Sequence, residues 1–327
     1  MKSRYRNMSV GGDSGSVSTA PAVLNGSTRE TGNANMLHRI RLLMVFSVMA
    51  LLVAIAVIVM AAQREQALVA QQFAQQKKLL SETSYSIARY ILDKRRALQS
   101  FVTENHGLLL RLRFDPQNPS LYALLQQRVA ARFPHQTHFT IIDQHGSPIW
   151  MDIEGEVGPV CRSEIALFNK EVQESGASAT NKILIHPNVN TYHYDLMALL
   201  AVSPGVNNIF LVSFDPATLV EILKRHELSG HHLMLVKKGD NSLIEVTSAG
   251  ARDRIGRDIR LDSEELSRIK TFAEVDGTGW RVVDLQDKAR IEAWRTHLWQ
   301  RAIIMGITFL LASLVLMVML QRIGRRN

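Results

Sequence analysis

The stretch LLMVFSVMALLVAIAVIVMAA, residues 42–62, decides the class of this chain. It holds no charged side chain, and its length is close to the ~20 residues that a helix needs to cross a hydrocarbon core of ~30 Å. Near the other end, AIIMGITFLLASLVLMVML, residues 302–320, repeats the pattern. A helix in a soluble core keeps one polar face, whereas these runs are apolar all round, as a segment surrounded by lipid must be. The reading is a two-span membrane protein.

Basic residues set the expected orientation. Arg39 and Arg41 precede the first run, and Arg322, Arg325 and Arg326 follow the second, which predicts that both tails stay in the cytoplasm. The first run lies too far in, and is too long, for an ordinary signal peptide, so it reads as an uncleaved anchor. Trp294 and Trp299, with His297 and Arg301, stand where amphipathic rings and snorkelling cations settle at the outer interface. The net charge of +8 is a topology signal: the N-terminal tail carries +4 and the C-terminal tail +3, so the middle is nearly neutral. A nucleic-acid partner is not expected, because such a domain concentrates basicity on one folded face. The expected partner of the tails is the lipid bilayer.

Between the runs, the single cysteine, Cys161, rules out an intramolecular disulfide, so folding rests on a hydrophobic core. Residues 1–41 are read as a disordered basic tail, since Gly, Ser, Thr and Asn dominate and little apolar area is available to offset ordering entropy. Residues 63–113 read as one long helix, with Leu80, Ile87, Ile91, Leu98, Val102, Leu109 and Leu112 at helical spacings. Asp115, Pro116 and Pro119 end it, and 120–133 begins a second helix. A distal module, 114–228, then runs through a hairpin (139–143, 148–153), a helix (161–175), strands at 182–185, 192–202 and 209–214, and a helix capped by Asp215 with Pro216 at its first position. A proximal module, 229–300, has strands at 232–237, 243–247, 271–275 and 280–285. It also holds a helix started by Asp262 with Glu265 three residues on. The last segments are the second span, 302–321, and a short tail, 322–327. The fold class is α+β: two transmembrane helices flanking a long helix and two antiparallel-sheet modules.

This order, with Phe214-Asp215-Pro216 opening the inter-module helix and Gly277-Thr278-Gly279-Trp280 in the last hairpin, resembles the double Cache sensors. These are PAS-like extracytoplasmic domains of bacterial receptors, and the resemblance covers roughly residues 63–321. It implies an inner-membrane location and a periplasmic central domain. It also implies a small-molecule ligand of unknown identity in the distal module, and a homodimer that relays occupancy through its membrane helices. Only 321–327 follow the second run, so the expected output is a separate signalling partner or a missing output domain. The Arg-x-Trp pattern by which many double Cache receptors hold amino acids is absent. The rival reading is a scaffold of the polysaccharide co-polymerase or envelope-assembly type. The former carries a Pro-rich stretch before its second span, whereas the last proline here is Pro216.

Candidate ligand-binding residues are Trp150, Asp152, His186, Tyr192, His193 and Asp195. Trp150 and Asp152 share a strand face by period 2, which suits an amine through ring and carboxylate, though Trp150 serves equally as core. On the 192–202 strand, His193, Asp195 and Met197 take one face and Tyr192, Tyr194 and Leu196 the other, so one face is expected to meet the core. His186-Pro187-Asn188 reads as turn chemistry. Cys161, His186, His193 and Asp195 together offer metal donors, but the spacing matches no zinc motif, and structural or surface roles are favoured over a pocket, and a pocket over a metal. No cofactor is expected. No enzyme motif is present: there is no Gly-rich phosphate loop, no Gly-x-Ser-x-Gly elbow and no paired His of a zinc hydrolase. A phosphatase reporter fused at residue 200 should be active, marking an extracytoplasmic position; a cytoplasmic signal there would overturn the two-span reading.

Overall fold

The structure, a computed structural model, describes residues 28–143, 145–150, 159–176, 183–187, 192–203 and 206–323. The chain divides into two units. Ala61–Gln300 forms the larger, and the smaller holds the apolar runs up to Met60 and from Arg301. In the smaller unit the described residues are helical, and two helices of the chain are long and apolar enough to cross a membrane. Their side chains Leu51, Ile58, Ile304 and Val315 are exposed. Helix α1 (Thr28–Glu104) starts upstream of the first run, whereas composition predicts an irregular tail as far as residue 41. Extending an established helix costs far less than nucleating one, which accounts for the earlier start. Residues 1–27 lie outside the described residues.

In the larger unit, the predicted stripe is the spine of the core. Leu80, Ile87, Ile91, Leu98 and Val102 of α1 are all buried, as are Leu109 and Leu112. The last two belong to a separate helix, α2 (His106–Phe114), because the expected single helix breaks at Asn105. There the side chain donates from Nδ2 to the Phe101 carbonyl at 2.9 Å, and its Oδ1 accepts from Arg128 at 2.6 Å. Arg128 lies on α3 (Pro119–Arg132), whose cap Asn118 accepts from Leu121 N. The side chain shares the Phe101 carbonyl with the Asn105 backbone N–H, which keeps its own bond at 2.9 Å, and the backbone departs from helical dihedrals there, at φ −108° and ψ 14°.

Two antiparallel sheets pack on this spine. The first has strand order β1-β4-β3-β2, with β1 Gln136–Ile142, β2 His186–Pro187, β3 Tyr192–Ser203 and β4 Val206–Phe214. The second is ordered β7-β6-β5-β9-β8, with β5 His231–Lys237, β6 Asp240–Thr247, β7 Gly250–Ala251, β8 Phe272–Glu274 and β9 Trp280–Gln286. One continuous core joins α1 to both sheets, through Tyr194, Phe210 and Phe214 of the first and Leu235, Val246 and Trp280 of the second. Smaller clusters fill the outer faces. Helix α4 (Pro159–Ser175) covers the first sheet with Cys161, Ile165 and Phe168 against Met197, Ile209 and Leu211. Ile255 and Leu261 cover the second sheet at Met234, Val236 and Ile244.

The local start and turn signals mostly act as read. Gly146 sits at φ 85° in the predicted turn, and Ile149 N donates to Ile141 O at 2.9 Å. The rest of that expected strand, 151–153, lies outside the described residues. Asp215 Oδ1 accepts from Ala217 N at 2.7 Å at the start of α5 (Ala217–His226), with Pro216 as the cap itself, so that the helix starts one residue later than predicted. Helix α6 (Ser263–Arg268) carries the full capping box between Asp262 and Glu265. Helix α7 (Lys288–Ile323) is tied to α1 where Trp299 Nε1 donates to Glu65 at 3.0 Å and Arg295 pairs with it at 2.9 Å.

One strand differs. Of the strand expected at 182–185, residue 182 lies outside the described residues, and among those described one parallel bridge is made, Ile183 to Thr278, while the first sheet is instead extended by His186–Pro187. The Gly-Thr-Gly-Trp turn causes this. Gly279 N donates to Ile183 O at 2.9 Å, and a Cβ on Gly279 would run into the Leu184 side chain. A Cβ there would also lie 3.2 Å from the Ile183 carbonyl oxygen, so glycine eases that backbone approach. Leu98→Ala should destabilise the detergent-solubilised chain by about 2–5 kcal/mol in urea unfolding, as a cavity in a close-packed spine requires. Leu92→Ala, at an exposed position of the same helix, should change stability by no more than about 0.5 kcal/mol.

Candidate functional site

Strand β3 is buried on both faces, which alternation alone does not reveal. Tyr194, Leu196 and Ala198 enter the shared core, while Met197 meets α4 on the opposite face. His193 and Asp195 share the Met197 face, so they lie under α4, each 1% exposed. The surface reading of these residues is therefore withdrawn: a helix covers the face that a half-buried sheet would turn to water.

Pairing brings the rest together. His186 of β2 stands opposite His193 of β3, and the rings meet edge-on with centroids 4.3 Å apart. Ser213 of β4 stands opposite Asp195 and donates from Oγ to Asp195 Oδ1 at 2.6 Å. From α4, the Cys161 thiol donates to Asp195 Oδ2 at 3.3 Å. Glu164, one turn further on, places Oε2 3.6 Å from His186 Nε2. His186 Nε2 is also 3.1 Å from Asp195 Oδ2, an ion-pair distance but outside hydrogen-bond geometry, and His193 Nε2 is 3.6 Å from Asp195 Oδ1.

Burying this much charge shifts every group. Burial alone would raise the Asp195 carboxyl, but His186, His193 and Ser213 outweigh it and hold the group below its ordinary value. Burial pushes Glu164 up to about 8, only partly offset by His186. For His186, burial favours the neutral ring, yet the surrounding carboxylates prevail and raise it. Burial and then Asp195 drive the Cys161 thiol well up, so it is a proton donor and not a thiolate. Behind the cluster, burial lifts Glu245 to about 7 against the pull of Arg252, which lies 3.3 Å away. Arg252 also donates to the Ile185 carbonyl and stacks over the Tyr192 ring, 4.9 Å from its centroid.

The predicted site residues thus separate. His186, His193 and Asp195 converge. Tyr192 points elsewhere, into a cleft of about 170 Å³ lined also by Asp215, Val220, Gly250 and Arg254, smaller than the ~300 Å³ where ordinary small-molecule pockets begin. Trp150 is 8% exposed and packs edge-on against Tyr122 and Phe139, with its N–H donating to Pro116 O at 3.0 Å, which is the core alternative. Asp152 lies outside the described residues. Sequence reasoning missed Glu164, Ser213, Glu245 and Arg252. Glu164 was findable: it interrupts the apolar stripe Cys161, Ile165, Phe168, and a carboxylate there must be buried.

No protein-family model matches the sequence, and no curated protein does. Solved structures do. The chain is similar to the sensor domain of the Vibrio cholerae histidine kinase DctB, at 11% identity and a TM-score of 0.48, covering 69% of this chain and 99% of that one. It is also similar to the ligand-binding domain of the Pseudomonas aeruginosa amino-acid chemoreceptor PctC (16%, TM-score 0.42, 65% and 99%) and to the periplasmic domain of Vibrio cholerae LuxQ (15%, TM-score 0.38, 64% and 99%). Iodoacetamide should leave Cys161 unmodified in the native chain at neutral pH and alkylate it fully in denaturant. Rapid native labelling, seen by intact mass, would show that α4 does not seal the cluster.

Proposed function

We propose that the chain is a non-catalytic sensor anchored in a bacterial inner membrane. Ala61–Gln300 faces the periplasm, binds a small ligand in the region of the first sheet, and passes its state through α1 and α7 to cytoplasmic signalling machinery. The observation that carries this reading is that α1 is one helix containing the first apolar run and also touching both sheets. Gln76 donates to buried Asp284 of β9 at 3.0 Å, Ser84 to Glu274 O at 2.6 Å, and Arg95 to Gly277 O at 2.8 Å; between the last two, the Tyr90 hydroxyl meets that of Tyr194 in β3 at 3.1 Å. A ligand that favours one packing of the sheets on this helix therefore has a direct mechanical route to the membrane.

Exposed apolar residues remain on α1, Val69 with Phe73 on one side and Tyr85 with Leu92 on another, and a second copy of the chain would pack against one of these pairs to form the dimer. The test is a thermal-shift screen of the full chain in detergent against small organic acids, amines and amino acids. A specific ligand at a hundredfold excess over its Kd should add about 2.7 kcal/mol of stability. A chain that no compound stabilises would count as a scaffold instead.

A further inference from the structure

We propose that Glu164, His186, His193 and Asp195 form a binding site for a divalent transition-metal ion of the zinc type. The proposal goes beyond the sensor reading and stands without it.

The distances come first. Around a tetrahedral zinc ion with bonds of about 2.0–2.2 Å, neighbouring donor atoms sit about 3.2–3.6 Å apart. His186 Nε2 lies 3.1 Å from Asp195 Oδ2 and 3.6 Å from Glu164 Oε2, and His193 Nε2 lies 3.6 Å from Asp195 Oδ1. Donor atoms of His186, His193 and Asp195 all fall within 4.8 Å of one another; Glu164 stands outside that group, with Oε2 3.6 Å from His186 Nε2, and would turn its carboxylate inward to complete the set.

A second observation points to a ligand. Glu164 is 6% exposed, and among the described residues neither of its carboxylate oxygens has a hydrogen-bond partner, its one charge contact being His186 at 3.6 Å. A buried carboxylate without hydrogen bonds is costly, and groups of that kind are found paired or bound to a metal. His186 Nε2, 2% exposed in its side chain, stands within ion-pair distance of both carboxylates, at 3.1 Å from Asp195 and 3.6 Å from Glu164. Two imidazoles and two carboxylates match zinc chemistry, and such a donor set is rarely assembled for packing alone.

The outer groups suit a metal too. Ser213 and the protonated Cys161 each donate to an oxygen of Asp195, orienting the carboxylate as supporting partners orient metal ligands. Cys161 is accordingly a positioning residue and not a ligand. With four protein ligands under α4, the ion would have no open position. It would pin α4, β2 and β3 together, as a structural site does.

The experiment uses the tag-free full-length chain in detergent, stripped by chelator and dialysed. Zinc alone is titrated by calorimetry, and bound metal is counted by mass spectrometry after gel filtration. One zinc per chain is expected, with Glu164→Gln and His193→Ala each weakening binding at least tenfold. Cobalt in the wild-type chain should give the intense visible bands of four-coordinate Co²⁺, a readout that does not depend on any variant folding. Chain that retains no zinc, zinc binding unchanged in both variants, or the weak spectrum of six-coordinate cobalt would each overturn the proposal.

Discussion

The structure depends on one constraint: the apolar stripe of α1 must be covered along its whole length. A helix with Leu80, Ile87, Ile91 and Leu98 on one side cannot be satisfied by a single small sheet. Two sheets therefore line up on it, each sharing the same core. This is why neither sheet closes a main core of its own, and why the clusters on the outer faces are small and roofed by α4 or by the segment around Ile255 and Leu261. Burial on this scale, at about 25 cal/mol per Å² of apolar surface, has to offset chain entropy without help from disulfides.

The same arrangement generates the polar site. Since one face of β3 belongs to the spine, its other face is the only place for His193 and Asp195, and α4 seals that face because it too has an apolar stripe to bury. Charge is thereby trapped in a buried layer between sheet and helix. Its cost is limited by mutual pairing: Asp195 stays charged among His186, His193 and Ser213, whereas Glu164, with less compensation, is pushed toward its protonated form. The contact of Arg252 with Glu245, the Ile185 carbonyl and Tyr192 links this layer to the second sheet. A change in the cluster would thus be felt in both sheets.

The Gly-Thr-Gly-Trp turn shows how a local signal acquires a tertiary meaning. It reads as a hairpin turn and is one, with Gly277 at φ 70°. Yet its larger effect is on a distant segment: Gly279 takes the Ile183 carbonyl and so prevents residues 183–185 from joining the first sheet. The kink at Asn105 is similar, since Arg128, supplied by the next helix, holds the side chain of the residue where the backbone leaves helical dihedrals, at φ −108° and ψ 14°.

Much of this was determined by the sequence alone, because the deciding physics is local. The apolar runs, the stripe on α1, the capping box at Asp262 and the turn glycines depend on neighbours within a few residues. What only the tertiary structure decided was which surfaces meet. Period 2 puts His193 and Asp195 on one face of a strand but cannot say that a helix lies over it. Nor can it bring Glu164, 31 positions before Asp195, onto the same point. Burial of a charged group is a property of what packs against it, and that is settled by long-range contacts which no local spacing records.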